Sequence, residues 1–299
     1  MRVTVVGSAN MDLVATAPVL PRPGETVLGH AFTQFPGGKG ANQAIAAVRA
    51  GAAISFVAAI GSDAFGVTLR ARLGASGVDT GLLRVVYGAS GVALILVDEA
   101  GENMIVVAPG ANAALTELTE PDLAAIGGAD VLLLQLEIPV ETVTAAARAA
   151  RSAGTRVVLN AAPARRLPAE LSAAVDLLVV NQVEAAALAP AGGPTPIAAL
   201  LEQVPRVVLT RGAAGAWYGE RGADPVHIPA PVVDAVDTTA AGDAFTAALA
   251  VGWGEGRSLV DAVRWASAAG AAAARRLGAS SALPGRADID ELYASTYPA

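Results

Sequence analysis

No cysteine occurs among the 299 residues, and only two are histidines. Disulfides, thiolate metal ligands and thiol nucleophiles are thereby excluded, and a multi-histidine metal centre lacks ligands. Basic residues are outnumbered by acidic ones, 20 to 27, for a net charge of −7. A general nucleic-acid binder needs a basic face, which this balance does not supply. An anionic substrate would have to be met by a few local cations or by backbone amides. No apolar run reaches the roughly 18 residues of a membrane span. The longest uncharged stretch, Ala185–Leu201, is broken by Pro190, Pro194 and Pro196. The start, Met1-Arg2-Val3-Thr4-Val5-Val6-Gly7, reads as a strand entering a glycine turn and has no signal-peptide pattern. These absences lead to the expectation of a soluble cytoplasmic protein that binds neither nucleic acid nor membrane.

What is present is an alternation of short apolar runs and amphipathic segments. Hydrophobic residues reach 54%, but much of this is alanine, so helix faces are blurred and the Val/Ile/Leu runs carry the pattern. Val3–Val6, Ile54–Ile60, Val131–Leu136, Arg156–Asn160, Leu177–Asn181 and Arg206–Thr210 read as strands buried on both faces. Between or after them, Phe65–Leu73, Glu117–Ile126, Val140–Ser152, Val183–Leu188, Ile197–Val204, Gly242–Trp253 and Leu259–Leu277 read as helices. The expected fold is a three-layer α/β/α domain around a mostly parallel sheet. Two stretches depart from this alternation. Asp12–Phe35 has several Pro and Gly, alternating residues such as Glu25-Thr26-Val27-Leu28, and no helical period, as two or three exposed strands would. Ser90–Pro109 holds two apolar runs joined by Asp98-Glu99-Ala100-Gly101-Glu102, a hairpin signal. Residues 12–36 and 90–109 are therefore assigned to a small β lid, and residues 1–11, 37–89 and 110–299 to the core.

The chemistry concentrates in Ala235–Ala247, where Asp237 and Asp243 flank the small-residue run Thr238–Gly242. The strand-like segment Pro231–Val236 precedes it and a helical pattern follows, so Ala240, Ala241 and Gly242 stand where a loop becomes a helix. Free amides and the helix dipole at such a place bind anions. Asp243 then reads either as a base for a hydroxyl beside a phosphoryl group or as a first-turn acid that stabilises the helix. Asn10 and Asp12, after the first strand, read either as polyol ligands at a strand C-terminus or as ordinary turn residues. Pro36-Gly37-Gly38-Lys39-Gly40-Ala41-Asn42-Gln43 opens a helix. It is no P-loop, because Thr33 and Gly40 stand where that motif needs Gly and Ser or Thr. Gln135-Leu136-Glu137, Asn160, Asn181-Gln182-Val183-Glu184 and Thr210-Arg211-Gly212-Ala213-Ala214-Gly215 each follow a strand. Together they line one sheet edge, with room for a nucleotide at one end and a polyol at the other.

In order and spacing, Gly7-Ser8-x-Asn10-x-Asp12, the Gly37–Gln43 run, Gln135-Leu136-Glu137, Asn181-x-x-Glu184, Thr210-x-Gly212-x-x-Gly215 and Asp237–Asp243 resemble the ribokinase-like carbohydrate kinases, over Val3 to about Leu283. The resemblance implies ATP-dependent phosphorylation of a sugar, D-ribose at its 5-hydroxyl, with fructose, deoxyribose or a nucleoside as alternative acceptors. A non-catalytic sugar-binding regulator is a more distant alternative. It implies Asp243 as base and the Ala240, Ala241 and Gly242 amides as an anion hole. Asn10, Asp12, Gly38, Lys39, Gly40, Ala41, Asn42 and Glu137 would hold the sugar. Asn181 and Glu184 would place phosphates and Mg²⁺, with the nucleotide on Thr210, Arg211, Gly212, Ala213, Ala214, Gly215, Gly242 and Ser267. A monovalent cation, K⁺, would sit on Asp237, Thr239, Ala273, Arg276, Gly278 and Ala282, although Ala282 stands where ribokinases often carry Ser. It also implies a homodimer through the lid.

Overall fold

The computed structural model describes residues 1–189 and 195–298; Pro190 and Pro194 lie outside them. In chain order the strands are β1 (Arg2–Val6), β2 (Asn10–Thr16), β3 (Ala31–Gly37), β4 (Ala53–Gly61), β5 (Leu83–Val86), β6 (Gly91–Val97), β7 (Asn103–Ala108), β8 (Val131–Leu134), β9 (Arg156–Asn160), β10 (Leu177–Asn181), β11 (Arg206–Thr210), β12 (Ala216–Glu220) and β13 (Val226–Ile228). The helices are α1 (Lys39–Arg49), α2 (Ala64–Ala75), α3 (Glu120–Gly127), α4 (Val140–Ala153), α5 (Ala169–Ala174), α6 (Gln182–Leu188), α7 (Pro196–Leu201), α8 (Ala241–Gly254), α9 (Leu259–Ala274) and α10 (Arg286–Thr296).

Nine strands form the large sheet in the order β13-β12-β11-β10-β9-β8-β1-β4-β5. The pairs from β11 through β5 are parallel, and β12 and β13 are added antiparallel at one edge. Successive side chains of a strand serve opposite faces. Val131 and Leu133 pack with Phe245, Leu249 and Trp265 under α8 and α9, whereas Leu132 and Leu134 pack with Val143, Ala147 and Leu171 under α4 and α5. Both faces are covered, which is why these strands read as unbroken apolar runs.

The second sheet has the order β3-β2-β6-β7, with β2 and β6 parallel and the outer pairs antiparallel. β7 is exposed along its whole length. The chain crosses between the two sheets four times: before β2, after β3, before β6 and after β7. All four crossings gather around Asn10. A Cβ on Gly38 would lie 2.6 Å from the Asn10 amide nitrogen, and one on Gly91 would lie 2.2 Å from the Asn112 amide and 2.3 Å from Asn10 Oδ1.

Two expected strands do not form. Pro231–Val236 is irregular, and the backbone amides of Val236 and Asp237 donate to Ala274 O at the end of α9, not to a strand. Glu25–Leu28 is also irregular, with Leu28 88% exposed; the adjoining Thr16 O is taken by the His30 amide. Asp12–Phe35 thus supplies two strands, β2 and β3, and Pro231–Val236 supplies none.

Gly40 sets how closely α1 approaches β1, since a Cβ there would meet Ser8 N at 2.5 Å and Gly7 C at 2.7 Å. Gly40→Ala should lower the unfolding free energy by about 1–3 kcal/mol through overpacking. Gly74→Ala, in an exposed turn of α2 with open space around its Cβ, should raise it by about 0.5–1 kcal/mol. Denaturant titration of the two variants checks both signs.

Candidate active site

The parallel strands β1, β8, β9, β10 and β11 bring their C-terminal ends to one edge, where α1 and α8 also begin. Asp243 is the third residue of α8 and is buried. Its Oδ2 accepts from Asn42 Nδ2 (3.1 Å) and its Oδ1 from Gln43 Nε2 (2.9 Å). Before it, Ala240 has φ of 59°, the one positive value of a non-glycine residue among the described residues. An L-residue held in the left-handed region is a strained N-cap, of the kind that persists where the surroundings demand it. The Ala241 amide is used within the loop, donating to Thr238 O (3.1 Å). Those of Gly242 and Asp243 make no backbone hydrogen bond among the described residues, which leaves them for an anion.

Four carboxylates face one lysine here. Burial is the largest influence on Asp243 and carries its pKa above the ordinary carboxylate value, against Lys39 and the two amide donors. Asp12 is pushed up to about 7, first by burial, then by Glu137 and Asp243, with Lys39 opposing. Glu184 is likewise raised by burial, against the Asn181 N–H and Lys39. Burial works to lower the Lys39 ammonium, but Asp243, Glu137, Glu184 and Asp12 together raise it. Lys39 is thus held protonated while the carboxylates compete for it.

Glu137 is held by donors from three elements: Ser8 Oγ (2.6 Å), Asn10 Nδ2 (3.3 Å) and the Lys39 backbone amide (3.2 Å). Asn112 pairs with both backbone groups of Ala9 and donates to Asn10 Oδ1 (2.7 Å). That bond fixes which end of the Asn10 carboxamide is the acceptor and turns its NH₂ towards Glu137. Gly37 lies against Asp12, whose carboxylate oxygen a Cβ would meet at 2.1 Å. Asn42 Oδ1 is buried and has no hydrogen-bond partner among the described residues, so an acceptor beside Asp243 is free to receive a hydroxyl.

From these groups a cleft of about 210 Å³ runs along the sheet edge, lined by Lys39, Asn160, Asn181, Glu184, Thr210, Thr238, Ala240, Gly242, Asp243 and Thr246 among others. Asn181 and Glu184 cap α6 reciprocally, each accepting the other's backbone N–H at 2.8 Å. Asp237 Oδ1 accepts from Thr239 N (2.9 Å) and Oδ2 from Gly278 N (2.9 Å). Burial opposes its ionisation, but these bonds prevail and hold its pKa below the ordinary value.

A sequence profile of the pfkB family carbohydrate kinases matches residues 1–286. The chain belongs to the pfkB family of carbohydrate kinases. The *Bacillus subtilis* ribokinase is 40% identical over 293 residues, covering 97% of this chain and 98% of its own. The *Haemophilus influenzae* ribokinase is 38% identical over 297 residues, covering 96% and 97%. Among solved structures, the *Arabidopsis thaliana* ribokinase complexed with ribose and ATP superposes with a TM-score of 0.90 at 32% identity, covering 98% of each chain.

Of the family motif positions, Lys39, Asn181, Glu184, Thr210, Ala240, Gly242 and Asp243 line this cleft, and Asn10, Asp12, Asn42 and Glu137 do not. Asn42 donates to Asp243, Lys39, Glu137 and Asp12 act with it through their charges, and Asn10 is joined to this group through Glu137. Arg211 instead lines a neighbouring cavity of about 420 Å³ with Gln182, Ile197 and Trp217. Gly212–Ala214 form a short 3₁₀ turn closed by Arg211 N donating to Gly215 O (2.8 Å). Ser267 is buried in α9 with its hydroxyl donating to Val263 O (2.9 Å), and it does not line the cleft. Ala273 and Ala282 are buried, and Arg276 reaches out to Asp288. Two participants were not assigned from sequence. Asn112 sits in a 3₁₀ turn and looks like any loop asparagine. Gln43 lies within a recognised motif, but its partners are remote in sequence.

Asp12 keeps its proton to about pH 7 when folded, against the ordinary 3.8. Folding therefore takes up a proton between these values, and the apo protein loses stability as pH rises from about 4 to 7. Asp12→Asn should flatten that part of the melting-temperature curve relative to the parent. Superimposable curves would mean that Asp12 titrates normally.

Proposed function

We propose that this chain is a ribokinase: it moves the terminal phosphoryl of ATP to the 5-hydroxyl of D-ribose. The observation that carries the reading is Asp243, buried in a cleft it lines with Lys39, Asn181, Glu184 and Thr210, bonded to Asn42 and coupled by charge to Asp12 and Glu137. Relatives over nearly the whole length are ribokinases, and one solved relative holds ribose and ATP. On this reading the polyol group grips the ring hydroxyls, with Asn42 Oδ1 supplying an acceptor. Asp243 takes the proton of the attacking hydroxyl as the new P–O bond forms. The free amides at the start of α8 receive negative charge on the transferring group.

Mg²⁺ fits the phosphate end. Glu184 lines the cleft there and supplies an oxygen donor, the donor type this ion takes beside phosphates and water. When bound, it would offset phosphate charge. A monovalent cation is assigned to the Asp237 loop: the Asp237 carboxylate is held ionised and meets the Thr239 and Gly278 segments there, while Ala273, Arg276 and Ala282 come to the site from the family resemblance alone. Held there, the ion would brace the loop that carries the anion-binding amides.

The small sheet serves as lid on this reading, and a homodimer forms through it. Phe32, Leu94, Met104, Ile105, Val106 and Val107 are all more than one-third exposed, and such an edge invites pairing. Ile105→Glu is expected to shift the sedimentation coefficient towards that of a monomer; no change would remove this interface.

ATP consumption across pentoses, hexoses and nucleosides, with and without K⁺, tests the substrate. Ribose should be turned over best; strong turnover of another polyol without ribose activity would end the ribose assignment and keep the kinase. Asp243→Asn is expected to lower kcat roughly 100- to 10,000-fold, the usual range for a general base, while sugar binding by calorimetry persists. An unchanged kcat would remove Asp243 as the base.

A further inference from the structure

We infer that Gln43 is the positioning residue that orients and charges the Asp243 carboxylate, and that Gln135 sets the direction in which Gln43 can act. The inference rests on the kinase reading above and deepens it.

The bonds form a buried chain whose polarity has one solution. A carboxylate only accepts, so Gln43 must turn its NH₂ to Asp243 Oδ1 (2.9 Å). The same NH₂ donates to Asn160 Oδ1 (3.1 Å), and Asn160 in turn donates to Val179 O (3.3 Å) in the neighbouring strand β10. Gln43 Oε1 is left facing Gln135, whose Nε2 donates to it at 2.5 Å. Gln43 and Gln135 are both fully buried. The Gln135 carboxamide is wedged over Gly7, where a Cβ would lie 2.0 Å from its Oε1, and that Oε1 has no partner among the described residues. Rotating Gln135 would put an oxygen against Gln43 Oε1. Rotating Gln43 would put an oxygen against Asp243.

Asn42, the other side-chain donor to Asp243, belongs to the sugar group and can be drawn towards the substrate. Gln43 does not line the cleft and is tied to the end of β8 through Gln135 and to β9 through Asn160, so it is anchored in the core. The charged groups around Asp243 are Lys39 on α1, Glu137 after β8, Glu184 on α6 and Asp12 on β2. Lys39 alone favours the ionised form. The Gln43 N–H at Oδ1 favours that form as well, as Asn42 does at Oδ2.

The test is the pH dependence of kcat/KM for the sugar, together with a ¹³C titration of the labelled Asp243 carboxyl, assigned with Asp243→Asn. Gln43→Met keeps the volume and removes the donor. It should move the acid limb and the carboxyl midpoint upward by roughly one to two pH units, the worth of a hydrogen bond to a charged group. Lost activity should return as the pH is raised. Gln135→Met, which touches Asp243 nowhere, should shift both in the same direction by less, and the double variant should shift them no further than Gln43→Met alone. If Gln43→Met does not melt cooperatively, Gln135→Met carries the test. An unmoved carboxyl midpoint in a folded variant overturns the inference. A parent enzyme that phosphorylates no sugar overturns the kinase reading instead, and the carboxyl titration still decides the role of Gln43.

Discussion

Four carboxylates share one ammonium at the centre of this molecule, and little else in the site is arranged independently of that imbalance. Asp12, Glu137, Glu184 and Asp243 all act on Lys39. Charges so close and so poorly solvated either neutralise or find donors. Both solutions are present. Asp12 keeps a proton to about pH 7. Glu137 is given a hydroxyl, a carboxamide and a backbone amide, and Asp243 two carboxamides. A polyphosphate entering such a place is repelled unless it brings cations or meets the amides at the start of α8. The excess of negative charge thus discriminates between a bare anion and one already neutralised.

The donors come from elements distant in sequence, and this explains the fold's part in the chemistry. Parallel strands with crossover helices put every strand C-terminus on the same edge. Gln135, Asn160 and Asn181 follow or end β8, β9 and β10 and become neighbours although more than twenty residues separate each from the next. Gln43 and Asp243, 200 residues apart, meet because α1 and α8 begin side by side over that edge. Stability and function overlap here: Gly7, Gly38 and Gly40 permit close backbone approach and also shape the pocket.

The parallel core was legible because its strands are covered on both faces, so local composition alone reveals them. The polar residues after Leu134, Leu159, Val180 and Leu209 stood out against those runs. Elsewhere the signal failed for definable reasons. Pro231–Val236 has strand-like residues, but its Val236 amide is taken by the end of α9. The helix α5, only six residues long, and the helix α10, with a single buried residue, have too little periodicity to be seen. Asn112 is invisible because its importance lies in a bond to Asn10, 102 residues away. Gln43 sits in an obvious motif, yet nothing local tells whether it faces ligand, solvent or the base.

The four strand-to-core crossings that surround Asn10 have a mechanical consequence. The small sheet joins the core at Ser8–Asn10, Gly38 and the Gly91–Asn112 contact, and Ser8 and Asn10 there also donate to Glu137. On the ribokinase reading, a bound polyol would press on the same junction that joins the small sheet to the core, and occupancy of the pocket would be felt directly by its cover.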